Sequence, residues 1–217
     1  MSEVDMPCIT VAVKSKVQTV FLDTCVILDY LENRDAEIRD IVAQLLLFHE
    51  KGKITLATSI FNIAELIDKE FEIHFIGHLV SERLSYDEIW KKKGNKRLFR
   101  EISERNKEII ERRIKDFIIG KEICVLSPTF DEEGGEKELE SYEELYRLIY
   151  EYQLSSQDAL VVATALSNGV TYFLSNDQDL VKQINNNGLI DAYCLKDENQ
   201  RKSFKNNVLD SLAEELG

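Results

Sequence analysis

Apolar positions along this chain alternate between two spacings. Short continuous apolar runs, as in strands buried on both faces, are separated by segments in which apolar residues return every three or four positions, as in helices. Residues 17–22 form the first such run and stop at Asp23-Thr24-Cys25, after which Val26, Ile27, Tyr30 and Leu31 recur at helical spacing. Asp35 opens a second helix with Ile38, Ile41, Val42, Leu45 and Leu46 on one face, and Gly52 ends it. Residues 54–57 make a second strand. Thr58 or Ser59 caps the next helix, which carries Ile60, Ile63, Ala64, Ile67 and Phe71 on one face and Glu65 in its second turn.

The character changes over about 76–121. There Leu98, Ile102, Ile109, Ile114 and Phe117 predict a long helix with a narrow apolar stripe, broken upstream at Gly94-Asn95. One stripe cannot build a core of its own, so this segment reads as a basic helical insertion in a single domain spanning residues 1–217. A possible strand lies earlier, at 8–13, and another strand is predicted at 123–126. Residues 131–136 read as an exposed acidic loop, and Ser141 with Glu144 three positions later as the start of a helix running to Tyr152.

The stretch 154–180 is the most informative. Ser155 followed by Asp158 matches a hydroxyl helix cap with an acid three residues on, and 159–166 holds almost nothing polar. A buried strand at 170–174 leads to Asp177 and Asp179, and a helix begins near 180. A turn at 185–188, a strand at 189–193 and an amphipathic helix through Phe204, Val208, Leu212 and Leu216 complete the chain. Strands alternating with helices predict an α/β fold whose mainly parallel sheet is covered on both faces.

Composition sharpens the picture in one respect. The chain has 217 residues and a net charge of −13, yet residues 81–121 hold 13 Lys/Arg against 8 Asp/Glu. Half of the positive charge therefore sits in the insertion, as a local patch on an acidic protein. Within it, Trp90-Lys91-Lys92-Lys93-Gly-Asn-Lys96-Arg97 is either a solvated helix end or an RNA contact with Trp90 stacking on a base. The four cysteines are scattered without a Cys-x-x-Cys pair, which argues against a zinc knuckle and fits a reducing cytoplasm. The first sixteen residues do not read as a signal peptide, and no apolar run is long enough for a membrane span.

Acids recur where strands end and helices begin: Asp23 after the first strand, Asp177 after a later one, Glu65 and Asp158 in early helix turns. Each alone has an ordinary reading, as a helix cap, a charge complementing the helix dipole or a solvated side chain. Together they sit at the carboxyl ends of a parallel sheet, where open α/β folds bind ligands. Converging carboxylates repel unless a cation neutralises them, and an all-oxygen ligand set selects Mg²⁺ or Mn²⁺. An acidic Mg²⁺ cluster is a layout for phosphodiester hydrolysis. His74 and His78 stand four apart without a flanking metal motif. The Asp-x-Asp of haloacid-dehalogenase phosphatases is ruled out by Cys25, and no Gly-x-x-x-x-Gly-Lys loop is present.

Four motifs in order resemble the PIN-domain ribonucleases: Phe21-Leu-Asp-Thr-Cys25, Asn62-Ile-Ala-Glu-Leu66, Gln157-Asp-Ala-Leu-Val-Val-Ala-Thr-Ala165 and Leu174-Ser-Asn-Asp-Gln-Asp-Leu180. The resemblance implies a three-layer α/β/α fold and divalent-metal-dependent cleavage of RNA. It implies Asp23, Glu65, Asp158 and Asp177 as catalytic, metal-binding acids, Asp179 as an extra ligand, and Thr24 and Ser175 as supports. Many family members are toxins (VapC-like proteins) paired with a small antitoxin, so an antitoxin and a homodimer are implied partners beside the RNA substrate. This chain departs from the family in its length and at Cys25, where Ser or Asn is more usual. The alternative is an inactive PIN-like module that binds RNA or another protein through its basic insertion.

Overall fold

A computed structural model of the chain describes residues 17–95, 98, 102–128 and 135–214, with 135–142 described by backbone alone. The strand expected at 8–13, residues 131–134 of the loop expected at 131–136, Lys96, Arg97 and Leu216 lie outside the described residues.

Along the chain, β1 (Gln18–Leu22) is followed by α1 (Thr24–Leu31) and α2 (Ala36–Glu50), then β2 (Ile54–Ser59) by α3 (Ile60–Ser81), α4 (Tyr86–Lys93) and α5 (Glu104–Ile118). After β3 (Cys124–Leu126) come α6 (Gly135–Tyr150) and α7 (Ser156–Ser167), and after β4 (Tyr172–Ser175) comes α8 (Gln178–Asn186). Beyond β5 (Asp191–Cys194), α9 (Glu198–Phe204) continues through a π turn at Lys205–Leu209 into α10 (Asp210–Glu214). The strands form one parallel sheet in the order β3-β2-β1-β4-β5.

The layering follows from strand geometry. Successive side chains of β1 point to opposite faces: Val20 and Leu22 join the core shared with α1, α2, α3 and α5, whereas Phe21 joins the core shared with α7 and α8. Across β1 and β4, Phe21 stands in register with Phe173, and their rings stack at 5.0 Å with an 11° interplanar angle. Such an aromatic pair adds about 0.5–1.5 kcal/mol beyond its buried area. With helices on both faces of a parallel sheet, the fold is the three-layer α/β/α expected.

The cap chemistry expected from the sequence is present. Asp35 accepts from the backbone N–H of Glu37 and Ile38, Ser59 from Asn62, and Ser155 from Asp158. Gly52 adopts φ +68°, the left-handed conformation that closes α2 at little cost to glycine. Strand ends shift by up to two residues, as at β4 and β5, and three helix boundaries differ more from the sequence reading. Helix α3 passes through Ile76 and ends at Ser81, because a change in composition does not by itself break a helix. Helix α5 begins at Glu104 under a Ser103 cap, so Leu98 and Ile102 precede it. Helix α6 already begins at Gly135, which places Ser141 inside it rather than at its start.

Helices α4 and α5 both pack on α3. Arg113 of α5 bonds the Leu31 carbonyl at 2.6 Å and Glu70 at 3.2 Å and pairs with Glu32 at 2.5 Å, fastening α5 to α1 and α3.

Candidate functional site

The order β3-β2-β1-β4-β5 creates one topological switch point. From β1 the chain moves to β2 and β3 on one side, then crosses to β4 and β5 on the other. The helices leaving β1 and β4 depart on opposite faces, so the carboxyl ends of these two strands border a crevice. Asp23 stands at the end of β1, and Ser175, Asn176 and Asp177 at the end of β4.

Asp23 is the best-anchored acid at this rim. Its backbone N–H donates to the Leu174 carbonyl at 3.0 Å, tying the two strand ends together. Its Oδ1 accepts from the Thr24 N–H at 2.8 Å and from Asn62 Nδ2 at 3.4 Å. Its Oδ2 accepts from Ser175 Oγ at 2.6 Å and from the Cys25 thiol at 3.0 Å. Burial pushes the Asp23 carboxyl up, the bonds from Cys25, Ser175 and Thr24 pull it down, and the charge of Glu65 pushes it up again; the balance is upward. Every donor in that set is neutral.

A second layer of polar side chains holds the first. Ser175 Oγ also accepts from the Asp177 N–H at 3.0 Å. Cys25 Sγ accepts from the Asn176 N–H at 3.0 Å, and Asn176 Nδ2 donates to Asp29 at 2.9 Å. Burial and then the Asp23 charge drive the Cys25 thiol well above its ordinary range, so it stays protonated and donates to the acid. From the β2 side, Thr58 Oγ1 and Asn62 Nδ2 both donate to the Leu22 carbonyl, at 2.9 and 3.3 Å. Ser59 Oγ donates to Asn62 Oδ1 at 2.9 Å and so orients that amide. Thr24 Oγ1 donates to the Asn62 carbonyl at 3.4 Å, a support for α3 rather than for the Asp23 carboxylate itself. Thr24, Thr58, Ser59, Asn62 and Ser175 are all buried. Buried hydroxyl and amide groups that are fully bonded rigidify a site; left unpaired, each would cost about 1–3 kcal/mol.

The other expected acids are placed as follows. Glu65 is half-buried on α3, close enough for its charge to raise Asp23. Asp158 lies in the first turn of α7 and accepts from Ser155 Oγ at 2.6 Å. Asp177 is exposed and caps α8, its Oδ1 accepting from the N–H groups of Asp179 and Leu180 at 3.0 Å each. Asp179 is exposed in the first turn of α8. Among the described residues, no three acids, histidines or cysteines are grouped so as to hold a metal ion. The pair brought into electrostatic contact is Asp23 with Glu65. A divalent cation fits the chemistry of this pair: the donors are hard oxygens, and the desolvated Asp23 has an acid rather than a base bearing on it. His74 lies 4.0 Å from Glu70 and His78 3.3 Å from Glu82, both away from this rim.

Asn62 is the residue whose role sequence reading missed. The signal was available: it stands three residues before Glu65, on the same side of α3, and three after the Ser59 cap. Cys25, which departs from the motif the sequence resembles, is both donor and acceptor at the rim. On α4, Trp90, Lys91 and Lys92 are exposed, whereas Lys93 pairs with Glu72 of α3 at 2.8 Å.

Comparison with known proteins yields one family match. A PIN-domain family model matches residues 20–185. No curated protein matches the chain. Among solved structures, that of VapBC2 from Rickettsia felis bound to a DNA fragment from their promoter is 13% identical, with a TM-score of 0.46, covering 81% of this chain and 97% of that one.

Proposed function

This chain belongs to the PIN-domain family, and on that premise we propose that it is a divalent-metal-dependent endoribonuclease. PIN domains are generally nucleases, and phosphodiester hydrolysis is the reaction class that suits an acidic strand-end crevice. The observation that carries the reading is the state of Asp23. It is oriented by four neutral donors with no cation among them, and burial and then Glu65 push its carboxyl up, a destabilisation of the carboxylate that a bound cation would relieve.

Asp23, Glu65, Asp158 and Asp177 would hold Mg²⁺ or Mn²⁺, with Asp179 as an extra ligand. The ion, when bound, supplies Lewis-acid stabilisation of the phosphate charge and a more acidic water. The protein's own part is positional. Ser175 and Cys25 fix one oxygen of Asp23, and the Thr24 N–H and Asn62 fix the other, so that the carboxylate pays little reorganisation when a phosphate arrives.

The test is incubation of purified protein with RNA in Mn²⁺, in Mg²⁺ and in EDTA, alongside Asp23→Asn. Cleavage in either metal that stops with EDTA and with the variant is expected; cleavage in EDTA, or full activity of the variant, overturns the reading. Growth arrest on expression together with a small co-purifying protein would mark a toxin of a toxin–antitoxin pair, and free expression at high yield an RNA-processing enzyme. A second reading, an inactive PIN-like RNA-binding module, draws on the lack of a ready-grouped metal ligand set among the described residues. RNA binding without turnover, unchanged in Asp158→Asn, would select it.

A further inference from the structure

We propose that the exposed Tyr86–Trp90 pair on α4, flanked by Lys91 and Lys92, is a stacking platform for the unpaired bases of single-stranded RNA. The proposal rests on the ribonuclease reading and deepens it by naming where the strand lands and in what form.

Helix α4 buries none of its residues, yet it carries two large aromatics, Tyr86 at 75% and Trp90 at 61% exposed. They lie one helical turn apart and stack with ring centroids 6.1 Å apart and planes 17° from parallel. Flat faces of this size left in water are costly unless something covers them, and a stacked pair extends readily by one more ring. Nucleobases supply such rings regardless of sequence, because every base has a π face.

The charge around the pair fits the same occupant. Lys91 and Lys92 are exposed, and among the described residues neither is ion-paired. Lys93 does different work: its Nζ sits 5.3 Å from the Trp90 ring and 2.8 Å from Glu72, clamping the platform to α3. Of the two acids on α4, Glu88 is occupied by the Ser85 N–H and hydroxyl at 2.9 and 2.6 Å. With the whole chain at −13, a polyanion is repelled over most of the surface and has this basic segment to land on.

The platform is fastened to the helix that carries one of the acids. Glu72 follows Glu65 by seven residues on one continuous helix, which places them on nearly the same side and about 10 Å apart along the axis. A strand stacked on the pair would thereby lie alongside the helix that carries Glu65.

Trp90 is the chain's single tryptophan, so its emission reports on this site alone. The full-length Asp23→Asn protein, which leaves substrate intact, is titrated with a single-stranded oligoadenylate and with a duplex RNA of equal length. Saturable quenching by the single strand, weakened by salt and much smaller with the duplex, is expected. In anisotropy with labelled oligoadenylate, Tyr86→Ala and the Lys91→Ala/Lys92→Ala pair should each weaken binding about fivefold or more. Unchanged Trp90 emission at RNA concentrations that saturate anisotropy, equal quenching by the duplex, or wild-type affinity of Tyr86→Ala would overturn the proposal. A platform that seats a protein instead gives no quenching by RNA. The two readings separate cleanly: cleavage with silent Trp90 emission defeats the platform and leaves the nuclease, whereas quenching without cleavage does the reverse.

Discussion

Acids at two places in this molecule are held by opposite means. At the end of β1, Asp23 is bonded by a hydroxyl, a thiol, a backbone N–H and an amide. In the helical connection, Glu70 is bonded by Arg113 and Glu72 by Lys93. Neutral donors orient a carboxylate and leave its charge to act on something else. A cation cancels that charge and turns the acid into a fastener. On the nuclease reading the rim would receive a positive ion, whereas the ion pairs of the connection fasten α3 to α4 and α5.

The contrast can be broken first at Asp23. Replacing it with Asn should reduce RNA cleavage on the order of a thousandfold, because a bound divalent ion contributes several kcal/mol and each 1.36 kcal/mol is tenfold in rate. Its thermal midpoint should fall only modestly, since the removal of a desolvated charge offsets the amide NH2 that then faces donors on one side. A large loss of stability would show that Asp23 is a fastener after all.

Arg113→Met should do the opposite. It strips the fully buried Glu70, and Glu32 beside it, of their cation, and removing one partner of a buried pair costs about 3–5 kcal/mol. Urea denaturation measures this, and adding Glu70→Leu to the same chain should recover much of the loss. Cleavage per folded molecule should change little.

Cys25→Ala removes a donor to Asp23 and the acceptor of the Asn176 N–H, and leaving buried groups unmet costs about 1–3 kcal/mol. Cys25→Ser keeps both capacities and should stay close to the parent in stability and rate. If the two variants behave alike, the thiol has no part in orienting the acid.

The smallest expected effect is one of pH. Burial raises the Glu70 carboxyl above its ordinary 4.5, Arg113 opposes this, Glu32 reinforces it and Arg34 opposes it again; the balance is upward. The folded protein thus holds the Glu70 proton more tightly than the unfolded chain. Glu70 therefore makes stability fall as pH rises from 4.5 through the raised value. Glu70→Gln should flatten that part of the profile of urea midpoint against pH.

Much of the scaffold was legible because its signals are local. Asp35, Ser59 and Ser155 sit where a cap side chain reaches N–H groups two or three residues on, and Gly52 where only a left-handed turn closes the helix. Local signals failed where a helix overrode them. Ser141 carries cap chemistry in the middle of α6, and α3 runs through the basic segment's first residues because nothing there breaks its backbone.

Taken by itself, the sequence determined the alternation of strands and helices, and hence a parallel sheet covered on both faces. It also determined which acids stand just past strands and at helix starts, since both are matters of periodicity and near neighbours. The tertiary structure alone decided which of those acids is singled out. Ser175 lies 152 residues from Asp23 and Asn62 lies 39, and only the adjacency of β1 with β4 and β2 brings their hydroxyl and amide to its two oxygens. Desolvation likewise has no local signature, because it depends on what folds over a side chain. That is why Asp23, an ordinary helix cap by spacing, holds a carboxyl that neutral donors orient and burial pushes up.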